Sequence, residues 1–268
     1  MDYSKLIYKN ASQARKETKI SYIGGTSISS KIAKSEKKDI MTYVIYLAPH
    51  TLSGYNVCPM ATHECINACL NKSGQNGELT KNNLINNMSR IDICRVNRTK
   101  LFFENRNYFM AWLLDEIFSA HKLATKKGFD FSIRINGTSD ITPEIFIYKG
   151  YNILQLFPHI QFYDYTKVPN RTNLTTKYSN YHITFSYTGL NWDMANIALN
   201  NNVNVAVVFE QIPNMFKGIE VINGDMTDLR YLDKKGVIVG LKFKKIREKI
   251  DLQKSNFIVN PDNQDCKY

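Results

Sequence analysis

The chain has 268 residues with 43% hydrophobic and 12% aromatic content, enough to bury a domain-sized core and too apolar for a disordered chain. No apolar run approaches the roughly eighteen residues needed to cross a bilayer. The N-terminal stretch MDYSKLIYKNASQARKETK lacks an apolar signal region, so the expected location is the cytoplasm, away from the membrane. Net charge is +11 and sits at the two ends: residues 1–38 hold nine Lys/Arg against three Asp/Glu, and residues 234–254 hold eight against two. Such ends suit a polyanionic partner, nucleic acid or a nucleotide, or are solvated tails in a lysine-rich chain.

In chain order, a basic arm spans residues 1–40, and a single α/β domain is expected over 41–268. Strand-like runs, rich in β-branched and aromatic residues and bounded by Gly, Pro, Asn or Asp, fall at 41–48, 130–135, 160–165, 182–187, 203–209 and 236–242, with a shorter one at 219–222. Residues 84–127 are long enough for two helices. Phe109, Trp112, Leu113 and Ile117 recur at helical spacing there, and Gly128 supplies a stop. Thr142-Pro143-Glu144 predicts another helix start, with Pro at the first position, and 191–200 a further short helix. Strand–helix alternation of this kind implies right-handed βαβ units and a mainly parallel sheet. With about six such units the first expectation is a partial (β/α) barrel, and the second a doubly wound open sheet.

In parallel barrels chemistry collects at the carboxyl ends of the strands. There this chain carries Arg134, Asn136, Ser139 and Asp140 after one run, Tyr163, Asp164 and Lys167 after the next, then Ser186, then Asp225. Each alone is ordinary turn or cap chemistry. Together they define a pocket in which Asp164, Lys167 and Asp225 are the candidates for proton transfer or Schiff-base chemistry. Asn136, Ser139, Asp140, Tyr163 and Ser186 are the candidates for holding a cofactor or substrate. No glycine-rich phosphate loop, nucleophile elbow or H-E-x-x-H motif accompanies them.

The sharpest feature follows the first strand: Cys58, Cys65 and Cys69 in CPMATHECINAC. Three thiolates from one loop suit soft metals. A [4Fe–4S] cluster held by three cysteines keeps one iron open, on which S-adenosylmethionine would bind in a radical-SAM-like enzyme. The C-x6-C-x3-C spacing departs from the usual radical-SAM spacing. Zinc, with His63 as fourth ligand, is the alternative, and reduced thiols packed in a helix are the third reading. Cys94 and Cys266 are read as a buried thiol and a tail thiol.

Beyond these residues the chain resembles the phage-encoded gene product 88 proteins. The resemblance runs through Leu47-Ala48-Pro49, Val57-Cys58-Pro59-Met60-Ala61, Ala68-Cys69-Leu70-Asn71, the run from Arg134 to Asp140, the run from Gln161 to Lys167, Gly224-Asp225, and the run from Val237 to Lys242. Where that family continues past the cysteines with a Gly-Arg-Gly-like turn, this chain has Ser73-Gly74-Gln75-Asn76-Gly77. The resemblance implies a phage protein acting in the host cytoplasm and brings no activity with it. Two functions stand as expectations: an iron–sulfur enzyme of radical-SAM-like architecture working at a barrel mouth on nucleic acid or a nucleotide, and a non-catalytic nucleic-acid-binding protein whose cysteine loop is structural, with zinc or without metal.

Overall fold

The computed structural model of the chain describes residues 2–26, 30–73, 76, 88–246, 251, 255–260 and 262–268. The fold is mixed α/β, and its long strands pair in parallel. It divides into two compact units, Met1–Pro59 with Leu79–Phe162, and Met60–Glu78 with Tyr163–Tyr268. Among the described residues the strands of neither unit close into a barrel, and no helix is long and apolar enough to cross a membrane.

In the first unit the basic arm is part of the core. Helix α1, Ala11–Thr18, begins where the Asn10 side chain accepts the Gln13 N–H, satisfying a donor the helix cannot. Strand β1, Gly24–Thr26, lies antiparallel to β2, Ile40–Ile45. Tyr3, Ala14, Ile20 and Ile23 are buried. On its other side β2 pairs in parallel with β3, Asp130–Arg134.

The connection from β2 to β3 carries helices α2, Arg90–Glu104, and α3, Arg106–Lys127. The start expected at residues 84–87 lies outside the described residues. A capping box joins Ser89 and Asp92 at the head of α2, and the Gly128 N–H closes α3. Phe109, Trp112, Leu113 and Ile117 are fully buried, as their spacing demands. Each such side chain contributes about 1.5–3 kcal/mol of transfer free energy.

The helix expected at Thr142 is only a 3-10 turn, Pro143–Ile145. Residues Ile145-Phe146-Ile147-Tyr148 prefer extended backbone, and a two-strand ribbon, Ile147–Tyr148 with Tyr151–Asn152, takes them over.

The division between units falls within β4, Gln161–Thr166, after Phe162. In the second unit β5, Tyr181–Ser186, pairs in parallel with β6, Val205–Phe209. On its far side β6 pairs with β8, Ile238–Lys242, which pairs in turn with β7, Ile219–Asn223. Helix α4, Trp192–Asn200, lays Ala195, Ala198 and Leu199 on Phe185, Val205, Val207 and Phe209. Every strand expected from the sequence is therefore present.

Candidate functional site

In the first unit the start of the cysteine loop is tied to the carboxyl ends of β2 and β3. Gly137 N–H donates to the Ile45 carbonyl at 2.9 Å, Thr138 Oγ1 to the Leu47 carbonyl at 2.5 Å, and Asp140 N–H to the Val57 carbonyl at 2.7 Å. Cys58 Sγ receives the His50 N–H at 3.3 Å and lies 3.8 Å from the Thr138 carbonyl.

Asn136, buried, organises the turn: its Nδ2 donates to the Ile141 carbonyl, and its Oδ1 accepts the Ile141 N–H and the Ser139 hydroxyl, at 2.7–3.0 Å. A side chain on Gly137 would strike the Tyr46 ring at 2.6 Å and the Ile45 carbonyl at 2.9 Å. Four expected site residues, Cys58, Asn136, Ser139 and Asp140, thus share one interlocked turn.

The other two cysteines belong to the second unit. The helix His63–Asn67 is capped by Thr62, whose hydroxyl accepts the Cys65 N–H at 3.2 Å. Glu64 accepts the Phe257 N–H at 2.8 Å. Cys65 packs with Val208 and Phe243 on a cluster of Ala68, Phe257 and Ile258. Cys69 lies beyond the helix at φ −59°, ψ 132°, so the pair does not stack on one helical face. His63, the zinc alternative's fourth ligand, is exposed. All three thiols are half-buried and outside any disulfide. Among the described residues no group of three or more His, Cys, Asp or Glu is gathered to hold a metal.

The second unit also carries a polar sheet face. Alternation along β5 puts His182, Thr184 and Ser186 opposite the buried Ile183 and the helix-covered Phe185. Register adds Ala206 and Val208 of β6, then Val239 and Leu241 of β8, to that polar side. Arg230, 1% exposed, lies over it. Its Nη1 is 2.8 Å from where a Cβ on Gly224 would stand, beside Val239 and Leu241. The guanidinium pairs with Asp233 at 3.2 Å and donates to the Thr227 carbonyl at 2.6 Å. Tyr163 hydroxyl donates to Asp228 at 3.2 Å. Burial, aided by Lys235 and Arg230, pushes His182 down to about 4, so the ring is neutral at pH 7.

The remaining expected residues separate. Asp164 is fully buried and accepts the Tyr181 hydroxyl at 3.3 Å. It therefore alternates away from Tyr163. Lys167 is half-buried just past β4. Asp225 accepts the Lys242 N–H at 2.9 Å and pairs with Lys244 at 3.2 Å, which ties it to the end of β8. The Ser186 carbonyl accepts from Asn191 at 3.2 Å. Sequence reading had not singled out His182 or Thr184. Their signal was two polar residues at alternate positions of an otherwise apolar strand.

These observations define a mixed α/β protein with a cysteine loop leaving the first parallel strand and a polar sheet face in its second unit. The chain belongs to the Gene product 88 family, whose model matches residues 6–261. No curated protein and no solved structure matches it, so the comparisons supply no link to radical SAM enzymes.

Proposed function

We propose that the chain is a phage-encoded iron–sulfur enzyme of radical-SAM-like, partial-barrel architecture, with Cys58, Cys65 and Cys69 as the cluster's protein ligands. The observation that supports the reading is the position of Cys58 in the loop that leaves the first parallel strand. Within the first unit, Cys58 is tied by the His50 amide and the Thr138 turn to the exits of β2 and β3. The donor chemistry fits, since soft sulfur ligands are what an iron–sulfur cluster takes, and the Cys58 sulfur already accepts a backbone N–H from His50. No group of three or more such ligands is gathered among the described residues.

When bound, such a cluster supplies an iron open to a small molecule such as S-adenosylmethionine. The chain's own residues have other tasks. Asn136, Ser139 and Asp140 hold the turn that positions Cys58. Tyr163 and Ser186 border the polar sheet face, while Asp164, Lys167 and Asp225 are the strand-end groups available for proton transfer. Neutral His182 is a proton acceptor on the same face, and Arg230, paired with Asp233, lies over it. Nucleic acid or a nucleotide is the substrate class that the basic ends favour.

Anaerobic reconstitution tests this. Wild type should turn brown, with iron–sulfur charge-transfer absorbance and stoichiometric iron, while Cys58→Ser, Cys65→Ser and Cys69→Ser each lose it. A colourless wild type that takes up zinc instead would move the reading to the second one, a nucleic-acid-binding phage protein, which the same basic ends favour. That reading requires binding that weakens steeply with salt.

A further inference from the structure

The first unit holds a cavity of about 550 Å³ bordered by α1, β1 and α3, lined by none of the cysteines or strand-end residues. Its wall includes Arg15, Tyr22, Tyr43, Asp115, Glu116 and Ser119. A volume of this order holds a metabolite-sized molecule.

Glu116 is the informative group. Its carboxylate accepts the Ile23 N–H at 3.0 Å, the Gly24 N–H at 3.1 Å and the Tyr43 hydroxyl at 2.6 Å. All three donors are neutral, and Arg98 acts on it only through the field. Burial pushes the Glu116 carboxyl up, as it does for a charge taken from water, and among the described residues no cation contacts it. A cation brought to it offsets that cost through charge-assisted hydrogen bonds.

Asp115, exposed on the same wall, is a second carboxylate, contacted by the Tyr8 hydroxyl. The wall's own cation, Arg15, directs its Nε to the Ser21 carbonyl at 2.9 Å. Tyr22 offers an aromatic surface, with the Arg98 guanidinium 4.9 Å from its ring centre.

We propose that this cavity is a binding site for a small organic cation, an ammonium or amidinium on a compact planar or apolar body. Its N–H groups meet Glu116 and Asp115, and its body rests against Tyr22 and Ala120. The site is independent of the cysteines and of the iron–sulfur reading.

Benzamidine is the probe, with benzoate and benzyl alcohol as anionic and neutral controls of the same shape, titrated calorimetrically into the full chain. Saturable benzamidine binding is expected, with neither control competing. Glu116→Gln keeps an acceptor for the three donors and removes the charge. It should weaken binding at least about tenfold, and Asp115→Asn should weaken it less. Ala120→Trp, which fills the cavity and leaves both carboxylates in the chain, should abolish binding even if Glu116→Gln does not fold. Cys58→Ser should leave it unchanged. Absent saturation in wild type, benzoate binding as well as benzamidine, or an unaltered affinity in Glu116→Gln or Ala120→Trp would each overturn the proposal.

Discussion

The two faces of the β5–β6–β8 sheet are built from alternate residues of the same strands, yet they obey different rules. Toward α4 stand Phe185, Val205, Val207 and Phe209, all apolar and all but fully buried. Away from it stand His182, Thr184 and Ser186, with Arg230 laid over the neighbouring Val239 and Leu241. The first face is ordinary core, where stability scales with apolar area removed from water. The second holds a titratable ring, a guanidinium and a hydroxyl in a place where each is expensive to keep. A fold carries such groups where something other than stability retains them.

Substitutions on each face sharpen this contrast. Phe209→Ala on the helix side should cost about 3–5 kcal/mol by opening a cavity against Phe216 and Val259. Arg230→Met on the other side should cost about 2–4 kcal/mol, since it strips the 3.2 Å cation from Asp233. Both are read from guanidinium denaturation midpoints at constant slope. An Arg230→Met protein as stable as wild type would mean that the polar face is solvent-like, and the contrast would fail.

Acid adds a graded effect. His182 titrates at about 4 in the folded chain against an ordinary 6.5. Between those values the unfolded chain binds a proton that the folded one refuses. This group's contribution to stability is therefore lost as pH falls from 6.5 toward 4 and levels off below. Its share of the slope amounts to about one proton, and His182→Gln should remove that share. An unchanged slope in the variant would show that the ring is not held neutral by the fold.

The strands were legible in the sequence because β-branched and aromatic runs between Gly, Asn and Asp have few other uses. The capped pair α2 and α3 was legible for the same kind of local reason. The role of the arm was not. Gly24 and Gly25 are poor strand formers, and what stands at the entry to β1 is Glu116, more than ninety residues away, which accepts the Ile23 and Gly24 N–H groups. At the site, the turn from Asn136 to Asp140 was readable from its residue types. The side of the sheet on which Asp164 falls was not, because adjacent Tyr163 and Asp164 differ only in strand parity. Arg230 is buried through tertiary packing at Gly224, which no local pattern announces.

The smallest expected effect is the most discriminating. Thr184 is fully buried, and its hydroxyl has no hydrogen-bond partner among the described residues. On the helix-covered face a polar-to-apolar exchange has nothing to relieve. Here Thr184→Val keeps the shape and the β-branching that β5 favours while removing an unsatisfied group. The variant should be as stable as wild type or more stable, by up to about 1 kcal/mol, measured as a rise in denaturation midpoint. Loss of more than that would mean that the hydroxyl is already satisfied in solution, and the polar face would then be a structural layer like the other. A gain would mark Thr184 as a group kept against the interest of stability, which is how binding surfaces differ from core.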